Sequence, residues 1–124
     1  MKPGKTGLTR LIHAFGYSVD GLKAGWQREA AIRQEIIALI ILLPLGIWLP
    51  VGIPVKLALL ASTLAVLVVE LLNSAVEAVV DLASPDRHDL AKLAKDLGSA
   101  AVLMTLIVAI AVWSYAVWLA FGTH

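Results

Sequence analysis

Three long apolar stretches alternate with polar segments along this chain, and the middle stretch carries polar residues where a membrane span should have none. Leu97 to Phe121 contains no charged residue, which is enough for one tilted membrane-spanning helix of about 20 residues. Ile36 to Leu49 is shorter and interrupted by Pro44 and Gly46. It reaches across a bilayer if its helix starts near Ala30, giving a span over ~30–49 with Arg33 and Glu35 at the water interface. The Leu-Pro-Val-Gly-Ile-Pro stretch from Leu49 to Pro54 predicts a tight turn. A middle span follows over ~55–81. It contains Glu70, Asn73, Ser74, Glu77 and Asp81, in the string ELLNSAVEAVVD. At ~100° per residue these five fall on one stripe of a helix.

Residues 1–29 form a separate element. Leu8, Leu11, Ile12, Phe15, Val19, Leu22 and Trp26 follow three- and four-residue steps, with Arg10, Tyr17, Asp20, Lys23 and Gln27 on other faces. This predicts an amphipathic helix lying on a membrane surface. Gly16, Gly21 and Gly25 lower its helix propensity and predict a bend or break. The N-terminus lacks the continuous apolar core and small-residue cleavage pattern of a signal peptide.

Composition agrees with a single-domain integral membrane protein: 60% of the 124 residues are hydrophobic, and the mean hydropathy is +0.87. No cysteine is present, so disulfides and thiolate metal sites are excluded. The net charge of +1 gives no reason to expect a nucleic-acid partner. The distribution of charge says more. Six of the ten Lys and Arg residues lie at or before Arg33. Only Lys56 is positive near the first turn, whereas the connection over 82–96 carries Arg87, Lys92 and Lys95. The positive-inside rule then puts the N-terminus and the second connection in the cytoplasm and the C-terminus outside. Trp48, Trp113 and Trp118 would sit toward the outer interface and Trp26 toward the inner one.

A charged side chain near the bilayer centre costs at least ~2.5–3.5 kcal/mol on insertion scales. Asn73 and Ser74 suit hydrogen-bonded helix association; two carboxylates, Glu70 and Glu77, suit it poorly. Acidic groups at the inner interface can hold Mg²⁺, which takes one or two carboxylates together with substrate phosphates. A deeper carboxylate in an apolar setting suits a general base. Glu77 near the surface and Glu70 within the membrane match that division. Glu29, where the surface helix meets the first span, is another possible ligand; its alternative is an i, i+4 ion pair with Arg33, worth ~0.3–0.5 kcal/mol. Lys95, Asp96 and Ser99 stand at the start of the last span (~97–121), where a lysine either neutralises phosphate or anchors the interface. Gly4-Lys5-Thr6 is no phosphate-binding loop, because the upstream glycine and strand that such a loop needs do not fit ahead of it.

ELLNSAVEAVVD and the later AKDLGSAAV (Ala94 to Val102) closely resemble the signature of the bacterial membrane diacylglycerol kinases. So do TGLTRLIHAFGYSVDGLKAGW and EAAIRQE (Glu29 to Glu35). The resemblance covers about Thr6 to Phe121 and keeps the Glu-x-x-Asn-Ser-x-x-Glu-x-x-x-Asp spacing. It implies an all-α homotrimer with an N-terminal surface helix and three spans per chain, in the inner membrane. The implied reaction moves the γ-phosphoryl of MgATP to the hydroxyl of diacylglycerol, giving phosphatidic acid. Glu70 would be the proton acceptor, supported by Asn73, with Glu29 and Glu77 holding Mg²⁺. Arg10, Tyr17, Glu29, Glu77, Asp86, Arg87, His88, Lys95 and Asp96 would contact ATP. Arg10, His13, Lys23, Trp26, Arg33, Glu35, Trp48, Glu70, Ser99 and Trp113 would contact the lipid. The loop from Ser84 to Asp89 departs most from the family pattern, with a proline and an Asp in place of Glu. Two other functions stand beside this one: an undecaprenol kinase of the same fold, and a proton or cation conductor with Glu70 and Glu77 as a relay. A purely structural role for the stripe is the third.

Overall fold

The computed structural model describes residues 6–86 and 88–122. It contains four helices: α1 (Gly7–Arg28), α2 (Ala30–Trp48), α3 (Ile53–Ala83) and α4 (Asp89–Phe121). The last three are each long and apolar enough to cross a membrane.

α1 is continuous through Gly16, Gly21 and Gly25, so no break falls at these glycines. The path breaks instead at Glu29, one residue in extended conformation (φ −118°, ψ 111°). Two features hold this break. Glu29 N–H donates to Gly25 O at 2.8 Å and its own carbonyl accepts from Arg33 N–H at 3.1 Å, so both helical ladders run up to it. The Arg33 guanidinium folds back to donate to Trp26 O at 2.6 Å, satisfying a carbonyl that the end of α1 would otherwise leave open. The Glu29–Arg33 ion pair considered from spacing is therefore not formed. Gly25 is buried against Ile32, and an added Cβ would lie 3.0 Å from the Ile32 side chain, so the absent side chain lets α1 meet α2 closely.

α2 passes through Pro44 and ends at Trp48; Leu49 caps it, and Val51 N–H donates to Leu49 O at 2.8 Å in the predicted tight turn. Pro54 sits in the first turn of α3, where its missing N–H costs nothing. Lys56 reaches back to donate to Ile47 O at 2.6 Å, a cation at the negative end of the α2 dipole. The second connection is shorter than the charged segment 82–96 suggested, since α4 begins at Asp89 and its helix extends ahead of the apolar run. His88 caps it, Nδ1 accepting from Leu90 N–H at 3.0 Å.

α3 is the central element and packs against both α2 and α4. One apolar cluster joins Ile32 and Leu39 to Leu67. A second, toward the other end, joins Leu49 and Leu59 to Ala116, with Trp113 packed against it. The two buried hydroxyls of α3 are locally satisfied: Ser62 and Thr63 both donate to Leu59 O, at 3.2 and 2.6 Å. Ala116 is the single buried residue of α4 among the described residues. Leu103, Met104, Ile107, Val108 and Ile110 point outward. Such a surface is suited to hydrocarbon or to other apolar helices.

Candidate active site

The stripe predicted on the middle span lies on α3 and faces the region where α1, α2 and α4 approach it. Its centre is Asn73. The Asn73 Nδ2 donates to Glu77 Oε1 at 3.3 Å, one helical turn along. The amide oxygen, Asn73 Oδ1, is buried and has no hydrogen-bond partner among the described residues. It lies against Gly98 of α4, and a Cβ built on Gly98 would collide with it. Glu29, Glu35 and Glu77 are all close enough to act electrostatically on Glu70. Four carboxylates from α2, α3 and the break between α1 and α2 thus share one region of a mostly apolar molecule. Like charges are not gathered there for stability.

Three clefts lie along these helices, and Glu29 and Glu35 stand in the walls of two of them. The first, about 530 Å³, lies between α1 and α3 and is lined by Arg28, Glu29, Ile32, Leu71, Ser74 and Ala75 among others. The second, about 420 Å³, lies where α3 ends and α4 begins. It gathers Asp86, His88, Lys95 and Asp96, four residues expected at ATP, together with Asp81 and Lys92. The third, about 320 Å³, lies within the apolar region and is lined by Glu35, Thr63 and Trp113 among others. Trp113 donates from Nε1 to Thr63 Oγ1 at 2.9 Å, a bond between α4 and α3.

Lys95 is already paired. Its Nζ lies 2.7 Å from Asp81 Oδ1, with 42% and 64% of the two side chains exposed. Lys92 pairs with Asp96 at 2.6 Å on the same helix. Asp81 belongs to the stripe, yet sequence reasoning gave it no partner. The signal was its position at the end of α3, opposite the basic start of α4. Gly98 was missed as well, although it lies within AKDLGSAAV; a glycine beside Ser99, Ala100 and Ala101 marks close helix approach in a membrane.

Other expected residues stand apart. Arg10, His13 and Tyr17 are exposed on α1, with the His13 and Tyr17 rings 6.4 Å apart. None of the three lines the clefts above. Lys23 and Trp26 are also exposed on α1, and Ser99 is exposed beside Gly98. Trp48 is at the far end of α2, its ring 6.3 Å from that of Phe121, roughly 35 Å from Glu77 by helical rise along α3. Arg87 lies outside the described residues.

The oxygen-only donor set suits a hard cation. Among the described residues no three acidic or histidine side chains converge on a point. Mg²⁺ needs fewer, because phosphate oxygens and water complete its shell. Neither Glu29 nor Glu77 is held in an ion pair among the described residues. Both therefore fit.

Fold and site together define a helical protein with three membrane-length apolar helices, an acidic row along the middle one and a charged cleft at one end. The model of the prokaryotic diacylglycerol kinases matches residues 16–117. The diacylglycerol kinase of Escherichia coli (strain K12) is 46% identical over 122 residues, 98% of this chain and 100% of the relative. That of Pseudomonas aeruginosa is 44% identical over 111 residues, covering 90% of each. That of Helicobacter pylori (strain ATCC 700392 / 26695) is 39% identical over 111 residues, 90% of this chain and 87% of the relative. The chain belongs to the prokaryotic diacylglycerol kinase family.

Proposed function

We propose that this protein is a lipid kinase that transfers the γ-phosphoryl of ATP to the free hydroxyl of diacylglycerol, forming phosphatidic acid and ADP at the inner membrane. The observation that carries this reading is the acidic row on α3, with Glu77 held by Asn73 near the charged cleft and Glu70 about two turns farther from it. The hydroxyl of a diacylglycerol sits near headgroup level, so a base that reaches it must project from a membrane helix. In this reading the hydroxyl oxygen attacks the γ-phosphorus, the bond to the β-phosphate oxygen breaks, and the hydroxyl proton passes to Glu70. Glu29 and Glu77 would hold Mg²⁺, which would supply charge neutralisation on the phosphate oxygens. Lys95 neutralises further phosphate charge, with Asp86, Arg87, His88 and Asp96 toward the nucleotide.

Arg10, His13 and Tyr17 join the site in this reading from a neighbouring copy. α1 carries them away from the clefts of its own chain, and α4 buries almost nothing. A homotrimer supplies the missing walls and covers the apolar flanks. Lys23, Trp26, Arg33, Glu35, Ser99, Trp48 and Trp113 line the lipid path. The N-terminus faces the cytoplasm with Arg28, Lys92 and Lys95, the C-terminus lies outside, and α1 rests its exposed Leu8, Leu11, Phe15 and Leu22 on the inner leaflet.

The test is incorporation of labelled phosphate from ATP into lipid by purified protein. Glu70→Gln is expected to preserve assembly and ATP binding and to lower turnover by roughly 10²–10⁴-fold, the range for a general base. Undiminished turnover in that variant overturns the role of Glu70. Incorporation into undecaprenol but not diacylglycerol moves the substrate to a polyprenol.

A further inference from the structure

We infer that Gly98 is a positioning residue for the Asn73–Glu77 pair: its bare Cα forms the wall that holds the Asn73 amide in register, and through it the Glu77 carboxylate. The inference rests on the reading of Glu77 as a magnesium ligand.

The orientation of the Asn73 amide follows from hydrogen-bond chemistry. Nδ2 donates to Glu77 Oε1 at 3.3 Å. Rotating the amide by half a turn would bring Oδ1 against the Glu77 carboxylate, two acceptors without a proton between them. Oδ1 must then face away from Glu77, and it is there that it is buried without a hydrogen-bond partner among the described residues. The atom lies on Gly98. A Cβ at that position would overlap Oδ1 and approach Asn73 Cγ to 3.1 Å. A bare Cα leaves room for the oxygen and offers it only weak C–H contact.

Among the helical glycines the collision is severest at Gly98: a Cβ at Gly25 would lie 3.0 Å from Ile32 and one at Gly46 3.4 Å from Trp113. Gly16 and Gly21 are also helical, yet a Cβ at either would meet open space. α4 runs through Gly98 as an unbroken helix, so the residue is not there to bend the chain. What Gly98 offers is space on the face of α4 turned toward Asn73. The contact is made by the far end of a flexible side chain, so a methyl group at 98 displaces the Asn73 amide more readily than it parts the helices. The Glu77 carboxylate then loses its donor. A group that orients a metal ligand from outside its coordination shell is worth roughly 10–100-fold in metal affinity or activity.

The experiment compares wild type, Gly98→Ala, Asn73→Ala and the double variant as full-length protein in mixed micelles, by thermal unfolding and by Mg²⁺ titration of the kinase reaction. Gly98→Ala is expected to fold, to lower the unfolding midpoint, and to raise the Mg²⁺ concentration for half-maximal rate roughly 10-fold or more. In the Asn73→Ala background the colliding atom is gone, so adding Gly98→Ala is expected to shift neither the midpoint nor the residual rate further. An unchanged magnesium titration in Gly98→Ala overturns the inference. So does a Gly98→Ala effect of equal size with and without Asn73, which would show that the glycine acts on something else. Should Gly98→Ala be too unstable to assay, recovery of the midpoint in the double variant supports the contact and its absence overturns it. Wild-type protein that transfers no phosphate defeats the kinase reading instead, and the unfolding comparison still judges the contact.

Discussion

Trp113 joins two helices by one bond whose strength can be isolated. Its indole N–H donates to Thr63 Oγ1 at 2.9 Å, and Thr63 is buried and itself donates to Leu59 O at 2.6 Å. The far edge of the indole packs at Gly46, where an added Cβ would come within 3.4 Å of it. Trp113→Phe removes the donor and part of the ring. Interhelical hydrogen bonds in membranes average ~0.6 kcal/mol and reach ~1.7. Filling of the vacated space by neighbours is incomplete in packed interiors, adding about 1 kcal/mol. The expected loss is therefore about 2 kcal/mol. Thr63→Val keeps the shape but leaves the indole N–H without its acceptor, at a cost of about 1–3 kcal/mol. Once either partner is gone, removing the other forfeits no bond. The double variant should thus fall short of the sum of the single losses by ~0.5–1.5 kcal/mol. Reversible unfolding by denaturing detergent in mixed micelles reads all four proteins. Losses that add to within about 0.3 kcal/mol would refute the bond as a stabilising link.

Two further outcomes follow from the charged groups. Glu77→Gln is expected to demand more Mg²⁺ for half-maximal rate, read by titrating the metal at saturating ATP and lipid; an unchanged curve removes Glu77 from the metal. Asp81 pairs with Lys95 and would compete for it with phosphate under the proposed role of that lysine, so Asp81→Asn is expected to lower KM for ATP severalfold with little change in kcat; a raised or unaltered KM in nucleotide titrations would show that the pair does not tune binding.

The spans and the acidic row were legible because both are periodic properties of a single helix. Ile53–Ala83 forms one α-helix, and helical geometry alone then places Glu70, Asn73 and Glu77 along one side. The ends of the elements were less legible. Hydropathy marks where the apolar run of α4 starts, near Leu97, but the helix itself starts at Asp89, because Lys92, Lys95 and Asp96 are comfortable in a helix outside hydrocarbon. The break between α1 and α2 falls on Glu29, where the surface segment and the first span were expected to meet, and no break falls at the glycines of α1. Local propensity favoured a bend at Gly16, Gly21 or Gly25, whereas the meeting of Gly25 with Ile32 and the return of Arg33 to Trp26 are contacts between helices. The same holds for Asp81 with Lys95 and for Asn73 with Gly98. Each depends on which face of α4 turns toward α3, and no spacing within either helix contains that information.

The single extended residue between α1 and α2 has a mechanical consequence. When two rods swing about a joint, the joint itself travels least. Here the joint carries a carboxylate, Glu29, and the hydrogen bonds of both rods run up to its backbone. A change in the angle between α1 and α2 would therefore move Glu29 less than any residue of α1.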